Sequence, residues 1–251
     1  MKDLTLQDDI ALISGGATGI GLGIAESLIR AGARVVLCSR NEAALKEAVQ
    51  RLGPQATYRV HDVTEFEGSD ALVAQVEESV GPISILINNA GNHLKKPAED
   101  VSADEFRAVL DVHVLGAHSL TVAVGKRMMT RGHGSILFIA SMASLFGIPS
   151  VVAYSAAKSA YLGMTRALAA EWGSSGIRVN AIAPGWINSA MMQKALQGDP
   201  ERKQKILGRT PLGCFGNPED VGEAAAFLCS PAAKFITGVC LPVDGGASIG
   251  F

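Results

Sequence analysis

Tyr154 and Lys158 stand four residues apart at the start of a stretch with helical periodicity, so a helix puts both on one face, a turn apart. A phenol with a pKa of about 10 is a sluggish base at neutral pH. An ammonium beside it stabilises the phenolate, and lowering that pKa by three units takes roughly 4 kcal/mol of differential interaction. Such a pair suits a reaction in which hydride reaches a carbonyl and the alkoxide needs a proton, or the reverse. A tyrosine and a lysine at this spacing also occur on ordinary amphipathic helices, so the pair gains meaning only from its company. A second candidate is the turn Ser14-Gly15-Gly16-Ala17-Thr18-Gly19-Ile20-Gly21, which follows an apolar run and opens a helical one. Glycines there let the backbone approach a pyrophosphate, and a helix N-terminus supplies free N–H groups and the positive end of a dipole. The spacing is G-x-x-x-G-x-G rather than the commoner G-x-G-x-x-G.

These residues need elements to hold them. Apolar runs at 10–13, 35–37, 83–87, 135–139 and 179–183 have the continuous character of strands buried on both faces, and 238–243 forms a last one. Each of the first five leads through a glycine, polar or proline turn into helical periodicity, as at 41–52 and 104–131. This alternation predicts an α/β fold: one doubly wound Rossmann domain over 1–251, with a parallel sheet of about seven strands and helices on both faces. Ligands of such sheets sit at the carboxyl ends of the strands. No linker, low-complexity tract or internal repeat divides the chain.

Several motifs in order resemble the short-chain dehydrogenase/reductase family. Ser14-Gly15 through Gly19-Ile20-Gly21 looks like its cofactor turn, with Ser where Thr is usual. Asn88-Asn89-Ala90-Gly91, Tyr154-Ser155-Ala156-Ala157-Lys158, Pro184-Gly185 and Val243-Asp244-Gly245-Gly246 match further hallmarks, from Leu6 to the end. The resemblance implies a nicotinamide cofactor and Tyr154, Lys158 and Ser141 as catalytic residues. Ser141, 13 residues before Tyr154, would hydrogen-bond the substrate carbonyl and support its developing charge; Ser144 is its competitor. It also implies Asp62 and Val63 at the adenine, Asn89, Ala90 and Gly91 along the cofactor, and Pro184, Gly185, Ile187 and Ser189 at the nicotinamide carboxamide. Residues 190–209 correspond to a lid over the substrate. One position departs. His113, in Asp111-Val112-His113-Val114, stands where the family has an asparagine that holds a water of a proton relay. A histidine titrating near pH 6–7 is a working substitute, a slower relay or a residue turned away.

Cofactor choice rests on the end of the second strand, where an acid would accept bonds from a free ribose hydroxyl. The chain has Cys38-Ser39-Arg40-Asn41 instead. Arg40 can pair a 2′-phosphate through its planar fork and Ser39 can add a bond, which favours NADP(H) over NAD(H). Thr18, where many NADP-using relatives have a second basic residue, weakens that preference. Ser39-x-x-Glu42 also scans as a capping box for the next helix.

Two subgroups compete for the substrate. The surroundings of Ser141, Glu171-Trp172 and Pro97 resemble the sugar-acid dehydrogenases, such as gluconate 5-dehydrogenase, with His93, Lys95 and Lys96 available to a carboxylate. The 3-oxoacyl carrier-protein reductases share the same frame, with Arg127, Arg131 and His133 as a small basic dock. A cofactor-binding protein without turnover is a third reading.

Composition narrows the partners. Lys plus Arg is 22 and Asp plus Glu is 24, a net charge of −2, which lacks the basic surplus of a nucleic-acid binder. Four cysteines without CxxC spacing predict a reducing cytosol and no structural metal site. The uncharged stretch 134–157 is broken by serines, glycine and proline, and reads as strand, loop and helix rather than a membrane span. Relatives are usually tetramers, paired through helices that correspond here to 104–131 and 154–171, so a homo-oligomer is expected.

Overall fold

The structure, a computed structural model, describes residues 4–189, 192–193 and 200–250. Seven parallel strands form one sheet in the order β3-β2-β1-β4-β5-β6-β7. They are β1 (Ile10–Ser14), β2 (Arg34–Ser39), β3 (Ala56–Val60), β4 (Ile85–Asn88), β5 (Gly134–Ile139), β6 (Ile177–Pro184) and β7 (Cys240–Val243). β1 shows why the strands read as unbroken apolar runs. Ile10 and Leu12 enter one core with Val73, Val76, Leu120 and Val124, while Ala11 and Ile13 enter the other with Ile24, Leu28, Leu45 and Val221. The chain winds outward from β1 to β3 and then returns to place β4 beside β1, so strand order reverses there. The crevice past the carboxyl ends of β1 and β4 is the expected ligand position.

The helices are α1 (Gly19–Arg30), α2 (Glu42–Leu52), α3 (Ser69–Ser79), α4 (Ala103–Leu110), α5 (Ala117–Arg131), α6 (Val152–Trp172), α7 (Pro200–Arg209) and α8 (Pro218–Cys229). α1 and α8 cross closely on one face: a Cβ on Gly23 would fall 2.6 Å from the Pro218 carbonyl carbon, so only glycine fits. Arg30 ties the same pair through Glu219 and Glu223.

Three local readings change. α1 starts at Gly19, so the glycine turn is itself the first turn of the helix. The cap of α2 is Asn41, whose side-chain oxygen accepts from the Ala44 N–H at 3.1 Å, and not Ser39. Ser39 is still strand, paired in register with Val60, and cannot reach the helix end. The third change is largest. The helical pattern over 104–131 is interrupted by a π-helical turn at Asp111–Gly116, between α4 and α5. One extra residue in that turn carries His113 inward, where it is 1% exposed. α4 begins with a capping box of Ser102 and Glu105.

The stretch Ala103–Arg131 is long and apolar enough to cross a membrane, with a mean hydropathy of 1.4, but half of that window is buried inside the fold. The 134–157 stretch forms β5, a loop and the start of α6, as its polar breaks predict. Cys38, Cys214, Cys229 and Cys240 are all free thiols.

Candidate active site

Three connected cavities lie along the carboxyl ends of the strands. A cleft of about 420 Å³ runs from the glycine turn past Asn89, Ala90 and Gly91 to Ser141, Tyr154 and Lys158, and includes Pro184, Gly185 and Ser189. A pocket of about 140 Å³ opens from its far end between Ser39, Arg40, His61, Asp62 and Val63. At the near end a cavity of about 350 Å³ continues past Tyr154 between the loops after β5 and β6, where Ile187 also lies. Of the residues expected to act in catalysis or to hold the cofactor, only Ser14 lines none of these spaces. Its buried hydroxyl accepts from the N–H groups of Asn89 and Ala90, both at 3.1 Å, and donates to the Ile87 carbonyl. Ser14 therefore builds the cradle without touching what lies in it. Residues 190, 191 and 194–199 of the expected lid lie outside the described residues.

The cleft floor is shaped for a backbone-hugging ligand. Gly15 takes φ +65° and packs against Ala90; a Cβ on Gly21 would fall 2.6 Å from the Asn89 side-chain nitrogen. That nitrogen in turn donates to the carbonyls of Ser14 and Gly15. Gly19, at φ +55°, has open space where a Cβ would point. α1 thus presents its N-terminus to the cleft, the arrangement that suits a pyrophosphate. At the far end the Ser39 hydroxyl is buried with no hydrogen-bond partner among the described residues, in the pocket that Arg40 borders. The Arg40 guanidinium is 74% exposed and 3.6 Å from Asp62. Asp62 also accepts from the Thr64 N–H and hydroxyl, so it is a turn residue as well as a pocket wall. An orphaned hydroxyl beside an exposed guanidinium fits a phosphate-bearing nucleotide, and the residues present fit a dinucleotide along the whole cleft.

Tyr154 and Lys158 share the inward face of α6, and Ser141 sits directly after β5 at the head of a short 3₁₀ turn, its oxygen accepting from the Ala143 N–H. Ser144 does not line the cleft or the cavity beyond it. Burial raises the Tyr154 phenol above its ordinary value, and a hydrogen bond with Ser141 offsets part of that rise. Lys158 does not lower it here. Its ammonium is buried, donates to the Ile139 carbonyl at 2.6 Å and stands 5.7 Å from the centre of the Tyr154 ring. Burial pushes Lys158 itself down to about 7. Burial thus dominates the Tyr154 phenol while Lys158 is engaged on the Ile139 carbonyl.

His113 lies beside Tyr154 with its ring held on the backbone of the loop after β4. Its Nε2 lies 2.8 Å from the Asn92 carbonyl and 3.2 Å from the Asn92 N–H, and its Nδ1 is buried without a partner. The ring meets Tyr154 edge-on, with centroids 5.6 Å apart. Burial, and then the nearby Lys158 charge, push it down to about 3, so it is neutral across the physiological range and does not titrate near pH 6–7. Gly91 makes room for it, since a Cβ there would overlap the imidazole. Asn92, which holds this ring, carried no signal in the sequence beyond following the Asn-Asn-Ala-Gly run.

The loop after β4 resolves the basic residues. Lys96 is bound to Glu105 at 3.0 Å, whereas Lys95 lines the outer cavity and has no ion-pair partner among the described residues. Arg127 pairs with Asp70 and Glu77, and Arg131 with Glu77, so the basic dock read from these residues is spent on internal ion pairs.

Residues 15–248 match the family model described as Enoyl-(Acyl carrier protein) reductase. Galactitol 2-dehydrogenase (L-tagatose-forming) of Cereibacter sphaeroides is 40% identical over 242 residues, 95% of this chain and 94% of that protein. 2-Dehydro-3-deoxy-D-gluconate 5-dehydrogenase of Bacillus subtilis is 39% identical over 96% of this chain and 95% of its own. Among solved structures, a putative NAD(P) dependent gluconate 5-dehydrogenase from Beutenbergia cavernae, with NADP bound at low occupancy, superposes with a TM-score of 0.92 at 38% identity, covering 98% of both chains. The chain belongs to the short-chain dehydrogenase/reductase family. It is an oxidoreductase that interconverts a secondary alcohol and a ketone with a nicotinamide cofactor and acts on a small molecule.

Proposed function

We propose that this protein is an NADP(H)-dependent dehydrogenase of sugar acids. The observation that carries the reading is the seam between cleft and outer cavity, where the Ser141 and Tyr154 hydroxyls converge with Lys158 behind them and Lys95 beyond. A substrate carbinol placed at that seam has two hydroxyls for its oxygen and a cation for a carboxylate. The relatives named as gluconate and deoxygluconate dehydrogenases support the substrate class.

When bound, the nicotinamide supplies a hydride acceptor or donor. Gly15, Thr18, Gly19, Ile20 and Gly21 hold the pyrophosphate, and Ser39 and Arg40 the 2′-phosphate. Asp62 and Val63 would face the adenine, Asn89, Ala90 and Gly91 would line the middle, and Pro184, Gly185, Ile187 and Ser189 would meet the carboxamide. NADP-bound neighbours support the choice of NADP(H) over NAD(H). Ser141 donates to the substrate oxygen and Tyr154 exchanges a proton with it. Lys158, one turn along α6 from Tyr154, would lower the phenol's pKa wherever its ammonium faces the phenol oxygen and not the Ile139 carbonyl. His113 holds the Asn92 backbone at the cleft wall. The chain works in the cytosol as a tetramer joined through the helices within 104–131 and 154–171.

The test is a pair of assays followed at 340 nm. One offers gluconate and related sugar acids with NADP⁺ or NAD⁺; the other offers an acetoacetyl thioester with NADPH or NADH. Turnover of a sugar acid, faster with NADP⁺, is the expected result. Faster thioester reduction would replace the substrate class, and faster turnover with NAD⁺ would replace the cofactor.

A further inference from the structure

Two histidines flank Tyr154, and only one of them reaches water. His113 is enclosed, its Nε2 is engaged on the Asn92 backbone, and it lies beside Lys158. To pass a proton it would have to become an imidazolium in a desolvated site next to an ammonium, which burial and like charge both oppose. His93 lies on the other side. Its ring is centred 5.1 Å from the Tyr154 ring at a tilt of 49°, it is exposed, and it lines both the cleft and the outer cavity. An exposed imidazole at that separation can turn to bring a ring nitrogen within reach of the phenol oxygen, directly or through one water.

We propose that His93 is the proton-relay residue that exchanges the Tyr154 proton with solvent, taking over a task that His113 cannot perform. The inference rests on the assignment of Tyr154 as the acid–base group. In the oxidative direction the substrate O–H bond breaks and its proton forms an O–H bond on the Tyr154 phenolate. That phenol O–H bond then breaks as the proton moves to the free nitrogen of neutral His93. The imidazolium N–H finally gives the proton to water, and the phenolate is restored. Reduction runs the same transfers backwards; no electrons move in the exchange, so it needs no co-reactant.

The charged and titratable groups around His93 suit this role. Tyr154 and Lys158 come from α6, His113 from the π-helical turn and Lys95 from its own loop. The loops at 142–151 and 185–189 bring no titratable side chain. The cleft walls partly desolvate the otherwise exposed ring and, with the Lys95 charge, hold His93 below its ordinary value, so it rests neutral at pH 7 and carries the proton only in passage to the water it reaches, which the enclosed His113 does not.

The test uses His93→Ala and His93→Gln in the full-length protein, with kcat and KM followed across pH and with imidazole added. The expected result is a fall in kcat on the order of 10- to 100-fold in both variants, with KM little changed. Imidazole restores most of the rate in His93→Ala, and the acid limb of the kcat profile attributable to His93 disappears. Wild-type kcat in either variant, a rise in KM alone as for a carboxylate contact, or no response to imidazole would overturn the relay. Tyr154→Phe assayed alongside separates the two assignments. Full turnover there discards the acid–base reading itself, whereas its loss with full activity in His93→Ala discards only the relay.

Discussion

Burial pushes both Lys158 and His113 below their ordinary values, and each shift leaves a mark on stability as well as on chemistry. Lys158 stands at about 7 in the folded protein, against 10.5 for an ordinary lysine. Between those values the unfolded chain binds the extra proton, so stability rises with pH across the window and the burial penalty is greatest at and below pH 7. Lys158→Met is therefore expected to lose activity yet have a higher denaturant midpoint than wild type at pH 7, with the gap closing toward pH 10.5. An equal gap at both ends would show that packing, not charge, separates the two. His113 has the same sign at lower pH. Its folded value of about 3, against 6.5, makes stability fall as pH drops through that interval, by at most about 1.4 kcal/mol per pH unit. His113→Asn is expected to flatten this acid limb in urea titrations between pH 6.5 and 3. An unchanged slope would mean that the ring is not buried as described.

At the scale of elements, what was legible in the sequence is what period and punctuation encode. Every strand except β3, and the glycine turn, follow from apolar runs and their bounding residues, whereas the meeting of Ser141, Tyr154 and Lys158 at one crevice was implied by the family resemblance. The π-helical turn was not legible, because one inserted residue barely disturbs a 3.6-residue period, and its consequence is the inward turn of His113. The cap of α2 was misread for a related reason. Ser39 and Asn41 are both good capping residues, and the extent of β2 decides between them. Asn41→Ala is expected to cost about 1 kcal/mol in denaturant unfolding, and Ser39→Ala much less. The reverse order would restore the capping box at Ser39. The spending of Arg127, Arg131 and Lys96 on ion pairs was equally hidden, since partners distant in the chain set it.

For the whole molecule, the three cavities make one continuous path from Arg40 to Lys95, with the reacting groups between the two cations. NADPH is expected to raise the melting temperature more than NADH at equal concentration. A ligand at 100 times its Kd adds about 2.7 kcal/mol, and Arg40→Ala should remove the difference between the two nucleotides. A difference that survives Arg40→Ala would place the 2′-phosphate elsewhere. The central claim is that the proton of the substrate hydroxyl passes to Tyr154, and its most direct test is the oxidation of a sugar acid by wild type and Tyr154→Phe, followed at 340 nm with NADP⁺. The variant is expected to fold, to bind NADPH as tightly as wild type and to lose about 10²- to 10⁴-fold in kcat. A variant that binds NADPH and still oxidises the sugar acid at the wild-type rate would contradict it.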